Sequence, residues 1–175
     1  MNIECATPIE GWCELHDLSW LADKASRAHR IAEIGCWKGR STTVLAENAP
    51  TDATIIAVDT WLGSEEHNPP VAGLYEAFLQ NMKPYIEMGR VMPLRMPSVE
   101  AAHNLSHMPP FDLVFIDAAH DYNSIKADIL AWRPLVAPGG LLCGHDAGHP
   151  PIMQALAEVL PDRLPNECSM WQVRL

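Results

Sequence analysis

Short β-branched runs alternate along this chain with longer stretches of helical spacing, and three of the six short runs end on an acid or a glycine. That alternation is the mark of a parallel sheet whose crossovers are helices. The runs are Arg30 to Ile34, Thr54 to Asp59, Val91 to Leu94, Leu113 to Asp117 and Leu141 to Gly144, with a sixth near Ser169 to Arg174. Ser41 to Asn48 reads as a helix opened by Ser41-Thr42-Thr43 as N-cap material. Ala72 to Glu87 and Pro151 to Leu160 read as two more, the second started by a proline. In Tyr122 to Val136, Ile125, Ile129, Trp132 and Val136 share one stripe while Lys126, Asp128 and Arg133 fall off it, and Pro138-Gly139-Gly140 ends the run. The expectation is one α/β domain over residues 1–175. It is a Rossmann-like, mostly parallel sheet of about six strands with helices on both faces, a three-layer sandwich. Residues 1–28 form a helical N-terminal segment, and the turn-rich stretch 62–70 (LGSEEHNPP) is a surface loop that serves as a lid.

Right-handed crossovers put the C-terminal ends of parallel strands on one edge of the sheet, where open α/β folds bind ligands. The residues gathered there are Glu33-Ile34-Gly35, Asp59-Thr60-Trp61, Asp117-Ala118-Ala119-His120 and Gly144-His145-Asp146. The chemistry is expected at that edge.

The first of these turns, Glu33 to Ser41, reads ExGxxxGxS from strand into helix. Glycines let backbone approach a ligand, and a helix N-terminus offers free N–H groups. Neither the GxGxxG of a dinucleotide site nor the GxxxxGK[ST] of a triphosphate site is present. An acid at the head of the turn disfavours phosphate and favours a cation such as the amino group of a methionine moiety. Asp59, closing the next strand, stands where such folds use an acid to accept both ribose hydroxyls. Together these point to a nucleoside-bearing cofactor, against the plainer reading of a tight turn and an exposed Asp.

With these motifs in place the chain resembles the class I S-adenosylmethionine-dependent methyltransferases, specifically the small O-methyltransferases similar in fold to catechol and macrocin O-methyltransferases. Ile31 to Ser41, VDTWLG at 58–63, FDLVFIDAAHDY at 111–122 and PGGLLCGHD at 138–146 carry the resemblance. It implies that Glu33, Gly35, Lys38, Gly39 and Ser41 surround the methionine part of S-adenosylmethionine, Asp59 the ribose, and Trp61 and Ser98 the adenine, with Trp37 and Asp117 at the same cofactor site. Ser98 is equally readable as a plain N-cap. The implied reaction is in-line transfer of methyl to an oxygen of a small-molecule acceptor.

Asp117, His120, His145 and Asp146 form a second constellation. In metal-dependent relatives, acids after the fourth and fifth strands hold Mg²⁺, which implies Asp117, His145 and Asp146 as ligands here. The imidazole suits Mn²⁺ or Zn²⁺ better than Mg²⁺. Alternatively His120 or His145, with Asp117, acts as general base on the acceptor hydroxyl. The bland alternative has His120 and Tyr122 capping the next helix and His145 paired with Asp117.

Other features narrow the field. The formal charge of −10 repels nucleic acid and anionic membrane surfaces, and no apolar run reaches the roughly 18 residues of a membrane span. Five cysteines without a CxxC pair, behind a start lacking signal-peptide character, fit a reduced, cytoplasmic setting. Cys13 with His16 and His103 with His107 have ligand-like spacings but lack further partners, so both read as helix faces. No dedicated substrate domain is seen, so a second copy in a homodimer is one way to complete the pocket. Two rival functions stand beside methyl transfer: a non-catalytic S-adenosylmethionine-binding regulatory or interaction module, and a nicotinamide-dependent oxidoreductase.

Overall fold

A computed structural model describes residues 1–63 and 72–175. Seven strands form one sheet in the order β3-β2-β1-β4-β5-β7-β6, with β1 (Arg30–Ile34), β2 (Thr54–Asp59), β3 (Val91–Arg95), β4 (Phe111–Ile116), β5 (Val136–Gly144), β6 (Leu164–Glu167) and β7 (Met170–Arg174). Strands β1 to β5 pair in parallel, and β7 is antiparallel to both β5 and β6. The chain leaves the sheet at β3 on one edge and re-enters at β4 beside β1. This reversal opens a crevice at the C-terminal ends of β1 and β4.

Among the described residues six α-helices cover the two faces: α1 (Leu15–Ala25), α2 (Arg40–Asn48), α3 (Leu74–Glu87), α4 (Ser98–Leu105), α5 (Tyr122–Trp132) and α6 (Pro150–Val159). One core layer packs Leu18, Leu21, Val44, Leu45, Phe78 and Met82 of α1 to α3 on the sheet. The other packs Ala101, Ile125, Ile129, Trp132, Ile152 and Leu156 of α4 to α6 on its opposite face. The three-layer expectation holds. Among the described residues no helix is long and apolar enough to cross a membrane.

Four local expectations need correction. Strand β6, Leu-Pro-Asn-Glu, was not foreseen, because all four residues are exposed and no apolar alternation announces an edge strand paired on one side. The helix expected to reach Val136 ends at Trp132. Pro134 lacks an N–H to continue it, a 3₁₀ turn Arg133–Leu135 follows, and Val136 opens β5. Pro138-Gly139-Gly140 therefore lies inside β5, where the register against β4 shifts. Helix α2 is capped by Gly39 at φ 93°, not by Ser41 to Thr43, which are buried inside it. The proposed lid at 62–70 lies, apart from Leu62 and Gly63, outside the described residues.

Candidate active site

A cleft of about 1240 Å³ opens along the C-terminal edge of the sheet, lined from the ends of β1, β2, β4 and β5, from α5, and from Glu10 to Cys13 of the N-terminal segment. Of the residues expected around a cofactor, Gly35, Trp37, Ser41, Asp59, Ser98 and Asp117 reach its wall. Glu33, Lys38, Gly39 and Trp61 are not among the lining residues.

The first turn is held by protein rather than shaped only for ligand. Gly35 has φ 84°, and a Cβ there would stand 2.0 Å from the carbonyl oxygen of Asp117, so β1 leaves the sheet in direct backbone contact with the end of β4. Asp59 Oδ2 accepts from the N–H groups of Cys36 and Trp37 at 2.8 and 2.9 Å, and its Oδ1 accepts from Trp61 N–H at 2.8 Å. Oδ2 uses both of its lone pairs on these two N–H groups while Oδ1 keeps one, so Asp59 both fixes the turn and retains one acceptor position at the cleft. Gly39 serves packing: a Cβ would meet Met82 Cε at 2.9 Å.

Glu33 is fully buried behind the wall, and Ser41 Oγ donates to its Oε1 at 2.5 Å. With its proton committed to Glu33, the Ser41 oxygen presents lone pairs to the cleft. The acid thus acts on a ligand through the serine. Its Oε2 has no hydrogen-bond partner among the described residues, and burial raises its pKa to about 7. Lys38 turns away to Glu10 at 2.7 Å. Trp61, expected at adenine, is 4% exposed: its ring packs on Tyr75 and Phe78 and its Nε1 donates to the Trp37 carbonyl at 2.8 Å. The apolar partners that bury it come from α3, which local sequence does not reveal. Ser98 does not cap α4 with its side chain either; its Oγ accepts from Trp132 Nε1 at 2.9 Å.

At the β4 and β5 ends the two histidines separate. His120 Nε2 lies 3.1 Å from Asp146 Oδ2, and Asp117, His120 and Asp146 offer ligand atoms all within 4.8 Å of one another. His145, expected to join the two acids in holding a metal, is buried among three carboxylates, Asp146 at 3.1 Å, Asp17 at 3.4 Å and Asp117 at 3.7 Å, and forms a second ligand-like group with Asp117 and Cys13. Burial pushes its pKa down, but the bond to Asp146 and the nearby acids outweigh it and raise it to about 9. This favours the charged imidazolium, paired with the surrounding acids, over a neutral base. Asp146 is lowered by its bonds to His120 and His145, whereas burial raises Asp117. The helix-capping alternative is also corrected: Asp121, not His120 or Tyr122, caps α5 by accepting from Asn123 and Ser124 N–H.

Sequence reasoning missed three contributors. Asp17 of α1 is buried and reaches His145 and the Ser169 N–H at 3.0 Å. Cys13 Sγ donates to Asp117 Oδ2 at 3.4 Å. Arg40 binds the carbonyls of Ile9 and Cys13 at 2.8 and 3.1 Å, pinning the N-terminal segment against the cleft. Cys13, noted in the sequence for its spacing from His16, lies ahead of α1 and is buried rather than on a helix face, and the acid at the start of a helix, Asp17, offers the other signal. Trp37, Trp61 and Asp146 adopt φ of 48°, 50° and 56°, conformations that side chains rarely take and that cluster at functional edges. The exposed His103 and His107 join no ligand cluster among the described residues.

Comparison with known proteins adds three findings. A sequence model of the methyltransferase domain matches residues 32–147. A curated protein of Sinorhizobium fredii (strain NBRC 101917 / NGR234), y4gI, is 30% identical over 132 residues, 73% of this chain; the chain spans only 14% of that protein's length. Among solved structures, the S-adenosylhomocysteine-bound methyltransferase of Podospora anserina superposes with a TM-score of 0.72 at 19% identity, over 98% of this chain and 85% of that one. The O-methyltransferase of Bacillus cereus in complex with S-adenosylhomocysteine does so with a TM-score of 0.65 at 18% identity, over 93% and 84%.

Proposed function

This chain belongs to the methyltransferase-domain family, and from that premise we propose that it transfers a methyl group from S-adenosylmethionine to an oxygen of a small-molecule acceptor, releasing S-adenosylhomocysteine. The observation that carries this reading is the convergence of the Ser41–Glu33 pair, Asp59 and Asp117 on one cleft that lacks a phosphate-binding loop. The buried Glu33, acting through Ser41, fits a cofactor whose methionine end is cationic. Ser41 would accept from that amino group, Asp59 Oδ1 from a ribose hydroxyl, and Ser98 would face the adenine. The bound structures of the Podospora and Bacillus proteins support the choice of cofactor.

When bound, S-adenosylmethionine supplies an electrophilic methyl on a sulfonium. Asp117 accepts the acceptor's hydroxyl proton; burial makes it a stronger base than an exposed carboxylate, and His145 with Cys13 keeps it in place. Holding the oxygen in line contributes beyond the proton transfer. The Asp117, His120 and Asp146 donors fit a divalent cation, and an imidazole among them suits Mn²⁺ better than Mg²⁺. Loss of turnover with a chelator, restored by Mn²⁺, supports that ion; indifference to chelation removes it.

Calorimetry tests the cofactor directly. Saturable binding of S-adenosylhomocysteine with no binding of NADH is the expected result, and the reverse would make the chain an oxidoreductase. Binding without methyl release to any acceptor would leave a non-catalytic module.

Glu33→Gln should separate stability from binding. Because the folded-state pKa of Glu33 is raised to about 7, the protonated acid favours the fold below pH ~4.5, and that advantage is lost as pH rises through 7. At pH 8 the buried anion costs about 3 kcal/mol, by order of magnitude. The variant is expected to melt higher than wild type at pH 8 but not at pH 4.5, and to bind S-adenosylhomocysteine about tenfold more weakly. A midpoint at pH 8 equal to or below wild type would show that the anion is not a burden.

A further inference from the structure

Two segments far apart in the chain bring a histidine, an acid and a cysteine together, and none of the three lines the cleft. His16 and Asp17 stand in the first turn of α1, and Cys168 is the first of the two residues that turn β6 into β7. One ligand atom from each, an imidazole nitrogen, a carboxylate oxygen and a thiol sulfur, all lie within 4.8 Å of one another. The sequence sets Cys13 three residues before His16, but Cys13 is buried on Asp117, and the sulfur that the fold brings to His16 is Cys168.

Fixed parts hold the cluster together. Asp17 is buried; its Oδ1 accepts from Ser169 N–H at 3.0 Å and lies 3.5 Å from His16 Nε2, while its Oδ2 faces His145 at 3.4 Å. One lone pair of Oδ1 is therefore left on the side of His16. The Ser169 carbonyl accepts from Ala147 N–H at 2.9 Å, and Glu167 accepts from Trp20 Nε1 of α1 at 3.0 Å, so the hairpin is anchored on both sides of Cys168. Cys168 itself has φ 58°. A two-residue hairpin turn favours glycine or asparagine in such a conformation, and a cysteine there costs backbone energy while its side chain stays exposed. His16 is exposed as well, so both side chains can turn toward the fixed carboxylate.

The donor types name the ligand. Thiolate, imidazole and carboxylate together suit Zn²⁺, whereas Mg²⁺ and Ca²⁺ take oxygens. A tetrahedral Zn²⁺ holds such atoms roughly 3.3–3.7 Å apart, a separation that His16 Nε2 and Asp17 Oδ1 already have and that the exposed sulfur reaches by moving about 1 Å. Carboxylate and thiolate offset both charges of the ion. We propose that His16, Asp17 and Cys168 form a zinc site, with water as the fourth ligand. The thiol proton leaves to solvent as the zinc–sulfur bond forms. The ion ties the first turn of α1 to the β6–β7 hairpin, and it does so whatever cofactor the cleft holds.

The experiment titrates Co²⁺, a spectroscopic stand-in for Zn²⁺, into the full chain under reducing conditions. Sulfur-to-cobalt charge transfer in the near ultraviolet requires a bound thiolate, so an ion held by Asp117, His120 and Asp146 gives no such band. The expected band saturates at one ion per chain, is bleached by stoichiometric Zn²⁺ and is untouched by excess Mg²⁺. Cys168→Ser should remove it. His16→Ala should weaken Co²⁺ binding by at least about tenfold, because losing a ligand costs more than losing a ligand's hydrogen-bond partner. Cys13→Ser should keep the band, although Cys13 belongs to the other thiol-bearing group, with Asp117 and His145. Since His16 and Cys168 are exposed, their variants should melt with wild type in the absence of metal. Absence of the band in wild type overturns the proposal without any variant. So does a band that survives Cys168→Ser, an affinity unmoved by His16→Ala, or saturation at half an ion per chain, as two chains sharing one ion through their exposed cysteines would give.

Discussion

Alanine at Gly35 will unfold this protein well below the wild-type temperature and empty the cleft. A Cβ at that position would meet the Asp117 carbonyl oxygen at 2.0 Å, its carbon at 2.6 Å and Ala118 Cα at 2.7 Å, all of them backbone atoms that have no rotamer to escape into. The backbone is also at φ 84°, which adds a left-handed cost of ~1–2 kcal/mol. Together with overpacking, the loss should be about 3–5 kcal/mol, or roughly 10 °C for a domain of this size. Gly89→Ala is the matched control: φ is 70° there, but nothing lies within 4 Å of the new methyl. Only the conformational cost applies, and its midpoint should fall by a few degrees at most, about 4 °C. Equal midpoints for the two variants would mean that β1 and β4 can part at the cleft. Because the clash falls on Asp117, binding of S-adenosylhomocysteine should suffer in any folded fraction of Gly35→Ala.

Asp117→Asn should leave the fold and the cofactor in place and remove the reaction. The amide has the same shape, can still accept from Cys13 Sγ, and leaves the Gly35 contact untouched because that contact is to main chain. It cannot take a proton. With an acceptor to which wild type transfers methyl, kcat is expected to fall by ~10²–10⁴ while S-adenosylhomocysteine affinity changes by less than about threefold. Turnover within about twofold of wild type would move the proton-accepting role elsewhere, with His120 the next group to test. His145 is a poor alternative, since three acids hold it in its charged form.

Much of the fold was legible because its signals are local. The limits of β1 and β2 were read to the residue, since a β-branched run bounded by polar turns needs no knowledge of what packs on it. Errors fell where a neighbour decides. The α5 boundary turned on Pro134, inside a run whose apolar spacing continued past it. Strand β6 exists because β7 offers it an edge, its own four residues being exposed.

The candidate site divides in the same way. Sequence by itself determined that Glu33, Gly35, Asp59, Asp117, His120 and His145-Asp146 stand at successive strand ends, because the handedness of crossovers in a parallel sheet forces those ends onto one edge. It also determined that the glycine turn is not a phosphate loop. Only the tertiary structure decided which of these residues reach the cleft. Glu33 lies behind Ser41, and Trp61 is sealed by Tyr75 and Phe78. Asp117 stands in two ligand-like groups, one with His120 and Asp146 and one with Cys13 and His145, because Asp17 and Cys13 arrive from the N-terminal segment beside the buried imidazole. Asp128, an off-stripe residue by period, becomes a buried acceptor once α4 is laid against α5. The physical reason is common to all four. Periodicity fixes the direction in which a side chain leaves its own element, but burial, charge partners and protonation depend on what a distant segment places opposite it.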